Sequence, residues 1–219
     1  MTPDGPDGAA DVLPVAVALP ALPPGLPQRP YPAAVRALGR LALRLGGWSW
    51  TGGFPDVSRL VLIGWPHTSN LDGLVGLAAV AVAGLRPTIA AKRELFWWPL
   101  GPVLRGFGAV PVARDASGGF VGHSVAAFAA GGPLVVAVAP EGTRSRGERW
   151  KTGFHRIALE AGVPVAVVGF DWGRRRIGIV GTIRLTGRLD ADLAVLTALL
   201  AGVEGRRPER ATPALPALT

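Results

Sequence analysis

Apolar runs of strand length alternate with helix-period segments along most of this chain. Leu60-Val61-Leu62-Ile63-Gly64 is one such run, and after the polar turn Trp65 to Gly73 a longer apolar stretch, Leu74 to Leu85, reads as a helix. Thr88 to Lys92 reads as a short strand and Gly108 to Asp115 as a strand ending in charge. Pro133 to Ala139 has the uniformly apolar character of a strand covered on both faces. Ser117 to Ala130 reads as a helix stopped by Gly131-Gly132, and Lys151 to Ala161 as another. Pro164 to Phe170 and Ile177 to Leu185 are strands joined through Trp172 to Arg176, and Asp190 to Val203 is a closing helix. This alternation predicts an α/β fold of one domain, a mixed and largely parallel sheet with helices on both faces. Functional loops of such sheets collect at the carboxyl ends of strands. His67, Arg114 and Glu141 to Ser145 each follow a predicted strand, so they are expected to converge on one edge.

An amphipathic helix precedes this domain. From Tyr31 to Gly46, Arg36, Arg40 and Arg44 share one face, and Val35, Leu38, Leu41, Ala42 and Leu45 the opposite one. Gly46-Gly47 supplies the stop, and Trp48 and Trp50 follow. An arginine face with trailing tryptophans suits a lipid interface. Packing on its own domain, with the arginines in water, is the other reading, and both stay open. Between Glu94 and Leu104 prolines forbid a long helix. The aromatics Phe96, Trp97 and Trp98 there suit an acyl-chain cavity, lipid headgroups or a plain core cluster. Residues 1–30, rich in Pro, Gly and Asp, read as a disordered leader. Residues 31–50 carry the helix, 51–204 the main domain, and 205–219 a flexible basic tail.

Composition narrows the chemistry. At 219 residues one α/β domain is expected. With no cysteine, disulfides and thiolate chemistry are excluded, and His67, His123 and His155 lack HExxH-type spacing, so no metal site is expected. The net charge of +8 sits on a chain that is 49% hydrophobic and only 17% charged. That pairing argues against a nucleic-acid partner and for an anionic membrane surface. No apolar run is long enough for a transmembrane helix, and the acidic start lacks the basic region of a signal peptide.

The densest chemistry lies in Trp65-Pro66-His67-Thr68-Ser69-Asn70-Leu71-Asp72-Gly73. Ser69 or Asn70 is a good N-cap, which leaves His67 on the loop and Asp72 in the first helical turn. From there a carboxylate can reach back to orient and charge the imidazole, as a general base requires. Ser69-x-x-Asp72 is equally a capping box that only satisfies helix-start amides. Glu141-Gly142-Thr143-Arg144-Ser145 places a glycine turn, hydroxyls and a guanidinium at a strand end, which suits a phosphate or is simply a polar turn. Arg146, Arg149 and Lys151 add positive charge nearby.

Taken together these segments resemble the glycerol-phosphate and lysophospholipid acyltransferase family. His67-x-x-x-x-Asp72 is similar to its first block, Gly108 to Arg114 to its second, Glu141 to Ser145 to its third, and Gly162-Val163-Pro164-Val165 to its fourth. The blocks stand in the family's order, and the resemblance runs from about Leu38 to Val203, with Lys92-x-Glu94-Leu95 similar to short bacterial members. Two positions depart from the pattern: Pro66, where many members carry asparagine, and Ala113, where an acidic residue is usual. The resemblance implies that His67 deprotonates an acceptor hydroxyl, which attacks an acyl thioester, while Asp72 orients and charges the imidazole. It implies that Arg114, Glu141, Gly142, Thr143 and Arg144 line the acceptor site, with Lys92 and Lys151 as secondary candidates. The resemblance further implies acyl-CoA or acyl carrier protein as donor, no cofactor, and as acceptor 1-acyl-glycerol-3-phosphate or another lyso-lipid such as a lyso-ornithine lipid or a glycolipid. The implied location is peripheral, on the cytoplasmic face of the cell membrane.

Two other classes stay open. Gly122-His123-Ser124-Val125-Ala126 partly mimics the nucleophile elbow of a serine esterase, and a non-catalytic lipid-binding module would share the basic, apolar surface. Arg174-Arg175-Arg176 reads as a solvated hairpin turn or, with Arg36, Arg40 and Arg44, as a contact to anionic lipid.

Overall fold

Successive side chains of a strand point to opposite faces, and the segment Arg59–Trp65 uses both. Leu60 joins a core with Leu43, Trp48 and Ala79, whereas Val61 and Ile63 join another with Phe128, Phe154 and Leu196. A computed structural model describes residues 19–112, 117–143 and 146–214. Within them the strands are β1 (Ser49–Thr51), β2 (Arg59–Trp65), β3 (Pro87–Lys92), β4 (Ala109–Val112), β5 (Leu134–Val138), β6 (Val165–Asp171) and β7 (Arg176–Ile183). The helices are α1 (Ala33–Leu45), α2 (Asn70–Ala83), α3 (Leu100–Gly106), α4 (Ser117–Ala129), α5 (Gly153–Ala161) and α6 (Leu189–Leu199). Helices α1 and α2 cover one face of the sheet, and α4, α5 and α6 the other.

The sheet order is β1-β7-β6-β2-β5-β3-β4. Every pairing is parallel except the β6–β7 hairpin. The expected mixed, largely parallel sheet with helices on both faces is therefore the observed one. Because β6, β2, β5 and β3 run the same way, their carboxyl ends lie in that order along one edge. Trp172, His67, the Glu141–Thr143 turn and Lys92 are delivered there side by side.

Helix α2 starts at Asn70 behind the N-cap Ser69, with Asp72 in its first turn, as the capping pattern predicts. Other segments differ from expectation. Strand β1 was not foreseen, since three residues carry no periodic signal and β1 exists only through pairing with β7. Residues 19–30, expected to be disordered, are docked. Arg29 N–H donates to Gly84 O, Arg86 N–H to Pro27 O, and Leu26 is buried. The tail expected to be flexible packs into the fold through residues 205–214, where Thr212 is 0% exposed.

Helix α1 buries a narrow seam, not its leucine face. Gly39 and Leu43 meet α2, and a Cβ on Gly39 would lie 3.1 Å from Ala78 O. That close approach turns the neighbouring stripe of Leu38, Leu41 and Leu45 outward, with Leu45 80% exposed. Leu74, Trp97, Val103 and Trp98, the last 82% exposed, are further large apolar side chains at the surface. No described helix is long and apolar enough to cross a membrane.

Candidate active site

The turn after β2 is organised by the carboxylate of Asp72. Ser69 takes the extended N-cap conformation, and Asp72 Oδ2 accepts the backbone N–H groups of Thr68 at 2.7 Å and Ser69 at 2.6 Å. A negative charge here also meets the positive end of the helix. Its other oxygen, Oδ1, accepts the indole N–H of Trp172 at 2.6 Å. The capping role left open by the sequence is thus realised, with a third donor that no local pattern announced. His67 stands on the loop before the helix. Its ring meets Phe170 edge-on at 4.8 Å, and Gly64 leaves the space for both, since a Cβ there would lie 3.2 Å from His67 Cε1 and 2.9 Å from Phe170 Cε2.

His67 and Asp72 both line a cavity of about 440 Å³, within the roughly 300–1,000 Å³ of small-ligand sites. Leu62, Leu77, Val80, Leu85, Ile89 and Leu104 make its walls apolar. Pro87 and Lys92, the two ends of β3, both line it, so it runs along that strand for about 16 Å. Lys92, Gly142, Thr143 and Lys151 line it too, so residues quoted from separate blocks share one cleft. Gly142 has φ +62°, the left-handed region that favours glycine. A Cβ there would lie 2.8 Å from Lys151 Cδ, because the lysine stem crosses the turn. Lys151 N–H also donates to Pro140 O at 2.7 Å, which fixes the stem's root.

Glu141 has a different place from the one expected. It was assigned to the acceptor site, but it is 2% exposed and stands behind the cavity wall. Its Oε2 accepts His67 N–H at 2.6 Å and its Oε1 accepts Thr212 N–H at 3.3 Å. Burial pushes its carboxyl up to about 7, against the two backbone N–H bonds, and the charge of Asp72 adds to the rise. Glu141 therefore binds the β2 turn, the β5 turn and the carboxyl-terminal segment to one another. Thr212 extends this knot: its carbonyl accepts the indole N–H groups of Trp65 and Trp150, and its Oγ1 accepts Gly147 N–H.

Arg114, Arg144 and Ser145 lie outside the described residues. Ser124 sits in the middle of α4 and is buried, not at the helix start where a nucleophile elbow would hold it. Among the described residues no three His, Asp or Glu side chains gather as metal ligands would. Trp172, Phe170, Gly64 and Thr212 went unrecognised in the sequence. Only Trp172 carried a usable signal, since it lies in the turn just after a predicted strand.

Comparison with known proteins bears on the fold and the family. The solved 1-acyl-sn-glycerophosphate (LPA) acyltransferase PlsC from Thermotoga maritima has a similar fold, at 19% identity and a TM-score of 0.55 over 78% of this chain and 77% of that one. No curated protein matches the chain. The family model described as Acyltransferase matches residues 54–171, more than half of the 219, and spans β2, the His67 turn, the β5 turn and β6. This chain belongs to the acyltransferase family.

Proposed function

We propose that the protein moves a fatty acyl group from a thioester to the free hydroxyl of a lysophospholipid, with 1-acyl-glycerol-3-phosphate as acceptor and phosphatidic acid as product. The observation that carries this reading is the opening of His67 and Asp72 into a long apolar cavity with Lys92, Thr143 and Lys151 beside them. An imidazole ordinarily titrates near neutral pH and suits proton transfer there. His67 takes the proton of the acceptor hydroxyl as its oxygen attacks the thioester carbonyl. The tetrahedral adduct collapses, the C–S bond breaks, and the leaving thiolate takes the proton back from His67. Asp72 stabilises the imidazolium formed in between. The cavity takes the acyl chain; Arg114 and Arg144, with Gly142, Thr143, Lys92 and Lys151, meet the acceptor phosphate.

The donor is acyl-CoA or acyl carrier protein. The protein works at an anionic membrane surface, on the cytoplasmic side. Outward-facing Leu38, Leu41 and Leu45, the exposed Trp97 and Trp98 and the arginines of α1 support that placement. The test is transfer from labelled acyl-CoA and acyl carrier protein to a panel of lyso-phosphatidate, lyso-ornithine lipid and lyso-glycolipid acceptors. Labelled phosphatidic acid is expected. Transfer only to the phosphate-free acceptors overturns the phosphate assignment, and release of free fatty acid alone overturns acyl transfer.

A further inference from the structure

Trp172 is the first residue beyond the family-matched segment, and none of the four motif blocks contains it. It follows β6, the strand beside β2, and so arrives at the carboxyl edge next to the His67 turn. Its indole N–H donates at 2.6 Å to Asp72 Oδ1, the carboxylate oxygen that the amides of Thr68 and Ser69 do not use.

The surroundings hold that indole in place. Trp48 packs edge-on at 4.8 Å, and the guanidinium groups of Arg175 and Arg206 lie 5.0 and 5.4 Å from its ring. Arg175 has φ 51°, a left-handed conformation costly for a residue with a side chain, and also lies 5.9 Å from the Trp48 ring. The chain from Glu204 to Arg207 then joins the indole to the His67 turn. Trp172 N–H donates to Glu204 O at 2.8 Å, and Arg207 N–H donates to Thr68 Oγ1 at 3.1 Å. A Cβ on Gly205 would lie 2.9 Å from Pro66 Cγ, so only glycine lets the strand of chain pass. A carboxylate acceptor, a short bond and a ring gripped on several sides make a preorganised donor.

We propose that Trp172 is a positioning residue of the acyl-transfer centre, its indole N–H fixing the carboxylate of Asp72 while Arg175 and residues 204–207 hold the indole against it. The inference rests on the acyl-transfer reading above. Without the N–H, the carboxylate keeps its capping bonds but gains rotational freedom and basicity, so the imidazole it serves becomes harder to deprotonate.

Trp172→Phe keeps a ring for Trp48 and the two arginines and removes only the donor. We expect kcat to fall about tenfold, the usual worth of a hydrogen bond to a charged group. KM for both substrates should stay within about twofold, and the acidic limb of the kcat profile should move up by about half a pH unit. Arg175→Ala, which loosens the ring but keeps the donor, should lose about two- to fivefold. Trp172→His, which restores a ring N–H, should recover part of the loss. In the substrate-free protein, the indole N–H resonance of Trp172 should move on Asp72→Asn. Wild-type kcat and pH profile in Trp172→Phe, or a resonance blind to Asp72→Asn, overturns the proposal. If Trp172→Phe fails to fold, Arg175→Ala and the Trp172 resonance decide: a two- to fivefold lower kcat together with an indole N–H that responds to Asp72→Asn supports the proposal, and wild-type kcat in Arg175→Ala overturns it. Full activity in His67→Ala would instead strike the acyl-transfer reading itself.

Discussion

Among the described residues, His155 with Asp192 and His67 with Asp72 are two histidine–aspartate combinations built in contrasting ways. His155 and Asp192 touch directly, Nε2 to Oδ2 at 2.9 Å, buried between α5 and the first turn of α6. Asp192 also accepts Thr186 N–H and Oγ1–H and Gly187 N–H. Burial pushes its carboxyl up, but the bonds from Thr186, His155 and Gly187 outweigh that and hold it below its ordinary value. This pair ties two helices together and lines neither the long cavity nor its mouth. His67 and Asp72 are instead held by different neighbours, the imidazole's backbone by Glu141 and the carboxylate by two amides and an indole, and both residues line the cavity. A buried histidine–aspartate hydrogen bond between two helices acts as a structural joint, whereas His67 and Asp72 line the cavity and are held by groups from other segments.

Breaking each pair should damage a different property. His67→Ala is expected to lower the acyl-transfer rate by about 10²–10⁴-fold in a protein that unfolds at nearly the wild-type denaturant concentration. Asp192→Ala should do the reverse, costing about 3 kcal/mol in urea unfolding at neutral pH because it leaves His155 and the Thr186–Gly187 amides unpartnered. Per folded molecule its turnover should stay near wild type. A large loss of kcat in Asp192→Ala, measured on folded protein, would erase the distinction.

Glu141 offers a sharper test because it serves the site from behind. Its carboxyl stands at about 7 in the fold against 4.5 as a reference, so the folded state holds its proton more tightly. The stability linked to that proton is fully present below pH 4.5 and is lost as pH rises through 7, to an extent of at most about 3 kcal/mol. Urea unfolding between pH 4.5 and 8 should show a downward slope that Glu141→Gln lacks. Glu141→Gln should also be less stable throughout, since its amide N–H₂ would face the N–H of His67 or Thr212. Equal slopes in the two proteins would remove the linkage. The smallest effect on folding is expected at the outer stripe of α1. Changing Leu38, Leu41 and Leu45 together to serine should alter stability by less than about 1 kcal/mol, as they are exposed, yet weaken binding to anionic vesicles. Unchanged vesicle binding would take α1 out of the membrane contact.

What the sequence determined by itself is local. The β2 run, the Ser69-x-x-Asp72 start of α2 and the Gly142 turn are legible because apolar period, capping chemistry and a left-handed glycine act within a few residues of one another. Alternation of strands and helices then placed His67 and the Glu141–Thr143 turn on a common edge, since parallel strands must carry their following loops to the same side. The tertiary structure alone decided which groups stand behind them. Trp172 is 100 residues from Asp72 and Thr212 is 71 from Glu141, and no periodic or turn signal reaches across such distances. It also decided which face of α1 is buried, because Gly39 has meaning only against the backbone of α2. Short-range chemistry writes an element and its cap into the chain, whereas the partner of a buried donor or of a missing Cβ is settled only when distant segments pack.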